Sequence, residues 1–167
     1  MTSTKSYATL RALILSQIEE LAQTATRCGT RLARRQEFAA TGAEDILADS
    51  LASCLHSFYT GLESLLEAIA ADLDELPDGA QWHKRLLQVM SMEVAGVRPA
   101  VLSPESHHAL DDFRSFRHLF RNLYTHNLKP ERVFELALVL ASTWRLVQSD
   151  LMEFHEFLGE AGGKGTA

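Results

Sequence analysis

The sequence predicts an all-α protein, an antiparallel bundle of about five helices. Three observations lead there. Apolar residues recur three and four apart along most of the 167 residues, the spacing of one helix face. β-Branched alternation bounded by turns is almost absent. Short Pro- and Gly-bearing stretches separate the periodic segments, which suits connections between antiparallel neighbours.

The first helix is expected from about Ser6 to Phe38, with Leu10, Leu13, Ile14, Ile18, Leu21, Cys28 and Leu32 on one stripe. TGAEDI then breaks it and starts the second helix. There Thr41 and Glu44 have capping-box spacing, each able to satisfy a free backbone N–H near the other. Leu47, Leu51, Leu55, Phe58, Leu62, Leu65, Leu66, Ile69 and Leu73 form the core face of that helix. DELPDGAQ is a turn, and WHKRLLQVM opens a shorter third helix with Trp82, Leu86, Val89 and Met90 inward. AGVRPAVLSPE is the longest internal loop.

The fourth helix starts at Ser103 as N-cap, with Pro104 in the first helical position and Glu105 near the positive end of the dipole. It is expected to last until Asn127 or Leu128. Pro130 disfavours helix at Lys129 but suits a new first turn, so the fifth helix runs from Pro130 to about Leu158. GEAGGKGTA, residues 159–167, reads as a flexible tail, leaving a single domain over 1–158.

At 46% hydrophobic and 23% charged residues, a chain of this size buries a sizeable core. A formal net charge of −6 argues against a protein that coats nucleic acid, so any RNA contact must be local. Cys28 and Cys54 have neither metal-ligand nor CxxC spacing and read as buried thiols in a reducing cytoplasm. No cleavable leader and no run of 18 apolar residues is seen, so neither secretion nor membrane insertion is expected.

Positive charge is concentrated on the fourth helix. Phe113, Phe116, Phe120 and Leu123 share its core face, while Arg114, Arg117, Arg121, His118 and Thr125 share another. From Arg114 to Lys129 no acidic residue occurs. Such a face is either solvated, its arginines paired with carboxylates of neighbouring helices, or an anion site suited to the forked guanidinium. Arg121 and His126 raise the question of an RNA-cutting pair, but a match to this spacing arises readily by chance and establishes nothing alone. On a straight helix their five-residue separation turns them about 140° apart. Either the last turn unwinds before Pro130, or two copies of the helix meet across a two-fold axis and share a groove.

Other histidines carry less. His107 and His118 are expected at the surface or an interface, His56 against a neighbouring helix, and His155 near the frayed end. His83, beside Trp82, either packs near the cleft or caps the third helix. Tyr59 and Glu63, four apart, form a candidate structural polar pair. His107 and His108 lack companions at ligand spacing, and neither a metal nor a cofactor is expected.

The segments LHSFYTGLESLLEAIA, QWHKRLL and FRSFRHLFRNLYTHNLKPERV resemble, in that order, segments of HEPN domains. Among these the match is to the HepT-like toxins encoded beside MNT-type nucleotidyltransferases. The similarity covers roughly residues 45–155, and Arg121, Asn122 and His126 fit the family motif of arginine, a polar residue, then histidine. The resemblance implies a two-fold symmetric homodimer and a metal-independent endoribonuclease, with Arg121 and His126 of both subunits lining a cleft. It also implies Asn122 as a supporting polar group; Arg114, Arg117 and His118 of the cationic face, with Tyr124, are candidate RNA contacts from the residues themselves. The resemblance further implies an MNT-type nucleotidyltransferase antitoxin as partner. HepT toxins often carry a tyrosine two residues after the histidine, which the partner modifies with AMP, and Leu128 stands there instead. Silencing through Tyr124 and silencing by binding are both open. A non-catalytic HEPN module that binds a nucleotide or the partner through the same arginine face is the alternative.

Overall fold

The structure is a computed structural model that describes residues 4–122 and 128–164. It is all-helical in its described elements: α1 (Thr4–Leu32), α2 (Arg35–Ala40), α3 (Glu44–Leu73), α4 (Trp82–Met90), α5 (Pro104–Asn122) and α6 (Pro130–Lys164). Five of these are the expected helices; α2 is a short extra piece.

Leu10, Ile14, Ile18, Leu21, Ala25 and Cys28 of α1 are buried at successive steps of three and four. Leu13, expected on this stripe, is 37% exposed. The buried residues span an arc of about 80° starting at Leu10, and Leu13 falls about 60° outside its edge. The first helix also stops at Leu32 rather than Phe38, and α2 follows after a two-residue turn. Between Ala33 and Glu37 the chain offers the stripe no large apolar residue, so nothing holds a continued helix against the bundle.

The cross-chain contacts fix the directions. Ser6 bonds Asp72 at 2.9 Å, Leu21 packs on Gly61, and Arg31 reaches the Ser50 carbonyl, so α1 and α3 are antiparallel. Arg11 bonds His155 at 3.3 Å and Arg35 lies 3.8 Å from the centroid of the Phe134 ring, so α1 and α6 are antiparallel too. Phe58 is the hinge of the core, with Phe113 of α5 and Trp144 of α6 both at 5.9 Å between centroids.

The capping box at the start of α3 does not form. Thr41 ends α2 and turns its hydroxyl back to the Phe38 carbonyl at 3.0 Å; Gly42 follows at φ +70°. Ala43 is the N-cap of α3, without a side-chain cap bond, and Glu44 pairs with Arg35 at 3.0 Å. Thr41 therefore lies two residues too far out. The α5 cap is as expected, with the Ser106 N–H donating to Ser103 Oγ at 3.2 Å. Asp150 of α6 accepts from both the Ser103 N–H and hydroxyl at 2.8 Å, tying that cap to the bundle.

The loop from Ser91 to Ser103 is pinned rather than loose. Arg98, with a fully buried side chain, bonds Asp74 down to 2.6 Å and the carbonyls of Val89, Met92 and Pro99. At the other end, α6 continues through Gly159 to Lys164, past the expected end at Leu158. Leu158 is fully buried, and a Cβ placed at Gly159 would lie 3.0 Å from the Arg11 guanidinium, so this turn still packs on α1. The expected end of the fourth helix at Asn127 lies outside the described residues, while Leu128 and Lys129 are not helical. No helix among the described residues is long and apolar enough to cross a membrane.

Candidate functional site

One acidic residue sits on the buried face of α3. Glu63 is 3% exposed, between Leu62 and Leu65, and an ionised group there needs partners. It has two. Its Oε1 lies 2.7 Å from His83 Nδ1 and its Oε2 lies 3.1 Å from Arg117 Nη2. His83 Nε2 in turn lies 2.9 Å from Arg117 Nη1, closing a triangle drawn from α3, α4 and α5.

The neutral tautomer that satisfies both ring contacts carries its proton on Nδ1, donating to Glu63, and accepts from Arg117 at Nε2. The electrostatics agree. His83 is pushed down to about 4, by burial first and then by Arg117, with Arg121 and His118 acting in the same direction and Glu67 against it. Burial raises the Glu63 carboxyl, opposed by Arg117, Arg121 and Arg114. The Trp82 ring lies against His83 with centroids 3.6 Å apart and the planes tilted by 34°.

This triangle was only partly visible in sequence. His83 was a residue of open role, and it packs into the site rather than capping α4. The candidate Tyr59–Glu63 pair does not supply the bonds that hold Glu63, whose partners come from α4 and α5. The available signal was a single carboxylate inside the apolar stripe of the second helix.

The arginine face divides. Arg117 is buried in the triangle with its side chain 9% exposed, and Arg114 pairs with Asp111 at 2.8 Å. Arg117 pairs with a neighbouring helix as the ion-paired reading expects, though buried rather than solvated, whereas the partner of Arg114 lies on α5 itself. Arg121, in the last turn of α5, is exposed, and among the described residues it has no ion-pair partner. Its charge still reaches His56, Glu63 and His83. His118 is exposed one turn before Asn122, the last described residue of α5. Leu123, Tyr124, Thr125 and His126 lie outside the described residues, as does any statement of how His126 sits relative to Arg121.

Arg114, Arg117 and His118 are brought together with Gln81, His83 and Lys84 around a recess of about 270 Å³ between α4 and α5. His56, as expected, faces a neighbouring helix, its ring 4.6 Å from that of Phe120. Among the described residues no three His, Cys, Asp or Glu side chains gather in a way that would hold a metal ion. Cys28 and Cys54 are buried free thiols.

A family model described as HepT-like protein matches residues 50–158, the span from early α3 through most of α6. Comparison with curated proteins and with solved structures gives no match.

Proposed function

The chain belongs to the HepT-like family, and from that premise we propose that it is a toxin of the HepT type, a metal-independent endoribonuclease acting as a homodimer. Arg121 and His126 of both subunits would line the cleavage cleft. The observation that carries this reading is the separation of roles on α5: Arg114 and Arg117 are occupied by carboxylates, whereas Arg121 is exposed and has no ion-pair partner among the described residues. A charge held at the edge of a protein of net charge −6 is placed for a phosphate.

RNA is cleaved without metal when a base removes the 2′-hydroxyl proton, an acid protonates the leaving 5′-oxygen, and a cation stabilises the crowded phosphorane. Arg121 supplies the cation, always charged and able to hold two phosphate oxygens. His126 supplies proton transfer, and two copies across a dimer provide one base and one acid. The Glu63, His83 and Arg117 triangle anchors α5, which carries Arg121. DNA, without the 2′-hydroxyl, is not cut.

The antitoxin would be an MNT-type nucleotidyltransferase. Leu128 holds the position where the family often has its modified tyrosine, and it packs half-buried against the core. Neutralisation at that position therefore has no phenol to use, which leaves binding by the partner or modification of Tyr124.

The test is cleavage of end-labelled RNA in EDTA by wild type, Arg121→Ala and His126→Ala. The expected result is cutting by wild type alone, with 2′,3′-cyclic phosphate ends. No cutting by wild type moves the protein to the alternative, a binding module of a nucleotidyltransferase complex.

A further inference from the structure

We propose that the recess between α4 and α5 is a phosphate-binding site in its own right, taking a phosphate group of a nucleotide or RNA away from the cleavage centre. The identity of the ligand rests on the ribonuclease reading; the existence of the site does not.

The recess holds about 270 Å³ and its lining includes Gln81, His83, Lys84, Arg114, Arg117 and His118, with no acidic side chain. Two of its three permanent cations are paired, Arg117 with Glu63 and Arg114 with Asp111, so the uncompensated charge at the hollow is the Lys84 ammonium. Of the carboxylates nearby, Glu63 is held behind the wall by Arg117 and His83 and Asp111 at the rim by Arg114, while Glu67 of α3 acts on His83 from outside the lining. Lys84 is exposed and among the described residues makes no ion pair.

Arg117 is held at the back of the hollow, its guanidinium bonded to Glu63 and His83 and its Nε buried without a hydrogen-bond partner. His83, in the wall, is disfavoured in its charged form by burial first and then by Arg117, with Glu67 acting against them. The recess also opens at the first turn of α4, the positive end of that helix.

The residue types match a phosphate. Lys84 supplies a mobile point charge and Gln81 an amide donor, beside the Arg114 guanidinium whose Nε is held by Asp111. At about 300–1,000 Å³ for ordinary small-molecule pockets, this one falls just short, which suits a phosphate with part of its ribose. An RNA strand crossing Arg121 would thus be held at a second point about one helical turn up α5, beside Arg117.

The experiment is a titration of the His126→Ala protein, followed by backbone amide NMR, with AMP, adenosine, ApA and pApA. AMP is expected to shift the amides of residues 80–84 and 114–118, and adenosine is not. Lys84→Ala is expected to weaken AMP about tenfold, the worth of one charge-assisted hydrogen bond. Equal binding of ApA and pApA identifies an internal phosphodiester as the natural occupant; preference for AMP and pApA identifies a terminal phosphate. The proposal is overturned if none of the phosphate-bearing probes shifts these amides, or if Lys84→Ala binds them as tightly as its parent. A wild type that leaves RNA intact, with Lys84-dependent AMP binding present, sinks the ribonuclease reading and keeps this site. RNA cutting without Lys84-dependent binding does the reverse.

Discussion

Arg117 and Glu63 meet at 3.1 Å with 9% and 3% of their side chains exposed, a charge pair taken almost wholly out of water. Such a pair is a poor source of net stability but expensive to break, since the survivor is left as an uncompensated charge. Glu63→Ala is therefore expected to cost about 3–5 kcal/mol in urea unfolding. The double variant Glu63→Leu with Arg117→Met should recover much of that loss. A double variant no more stable than Glu63→Ala would mean that the pair contributes through something other than charge burial.

Arg121, one turn further along α5, should behave oppositely. It is exposed and has no ion-pair partner among the described residues. Arg121→Ala should leave stability within about 0.5 kcal/mol while removing RNA cleavage. Arg117→Ala should lose stability by several-fold more. If Arg121→Ala unfolds as readily as Arg117→Ala, Arg121 is a structural residue and its proposed role at the phosphate falls.

The elements were legible where local chemistry defines them. Ser103 with Pro104, and Pro130 after Lys129, mark helix starts because a cap and a fixed φ act within one turn. The core stripe of α3 followed from spacing alone. The end of α1 was not legible, since the stripe simply runs out after Leu32 and no Gly or Pro announces it. Thr41 and Glu44 had the spacing of a cap, but Gly42 at φ +70° takes Thr41 into the end of α2. The site split in the same way. Arg114, Arg117 and Arg121 were visible as one face, whereas their division into paired and exposed depends on Asp111 and Glu63 positions that only packing determines.

Arg98 gave no sequence signal at all, yet its side chain is fully buried and it joins Asp74 at the end of α3 to three carbonyls of the following segment. Arg98→Lys keeps the charge but cannot span these acceptors. A loss of about 2 kcal/mol is expected, a charge-assisted hydrogen bond's worth, together with faster amide exchange across residues 91–102. Global destabilisation with unchanged local exchange would show that Arg98 holds α3 rather than the loop.

The pH dependence should reveal His83 through its sign. Its folded value, about 4, lies below the ordinary histidine value of 6.5, because burial and Arg117 disfavour the charged ring. Between those values the unfolded chain binds a proton that the folded protein refuses, so stability rises with pH across this window and is lost as pH falls from 6.5 toward 4. His56 and His155, also lowered, act in the same direction. Glu63 and Glu67, raised by burial, act oppositely just above the ordinary carboxyl range. The informative quantity is thus the difference between wild type and His83→Gln in urea midpoints from pH 4 to 7. The wild type should lose more stability on acidification than the variant, because glutamine has no proton to refuse. Parallel curves would mean that His83 titrates normally, and that the Glu63, His83 and Arg117 triangle does not hold its imidazole neutral in solution.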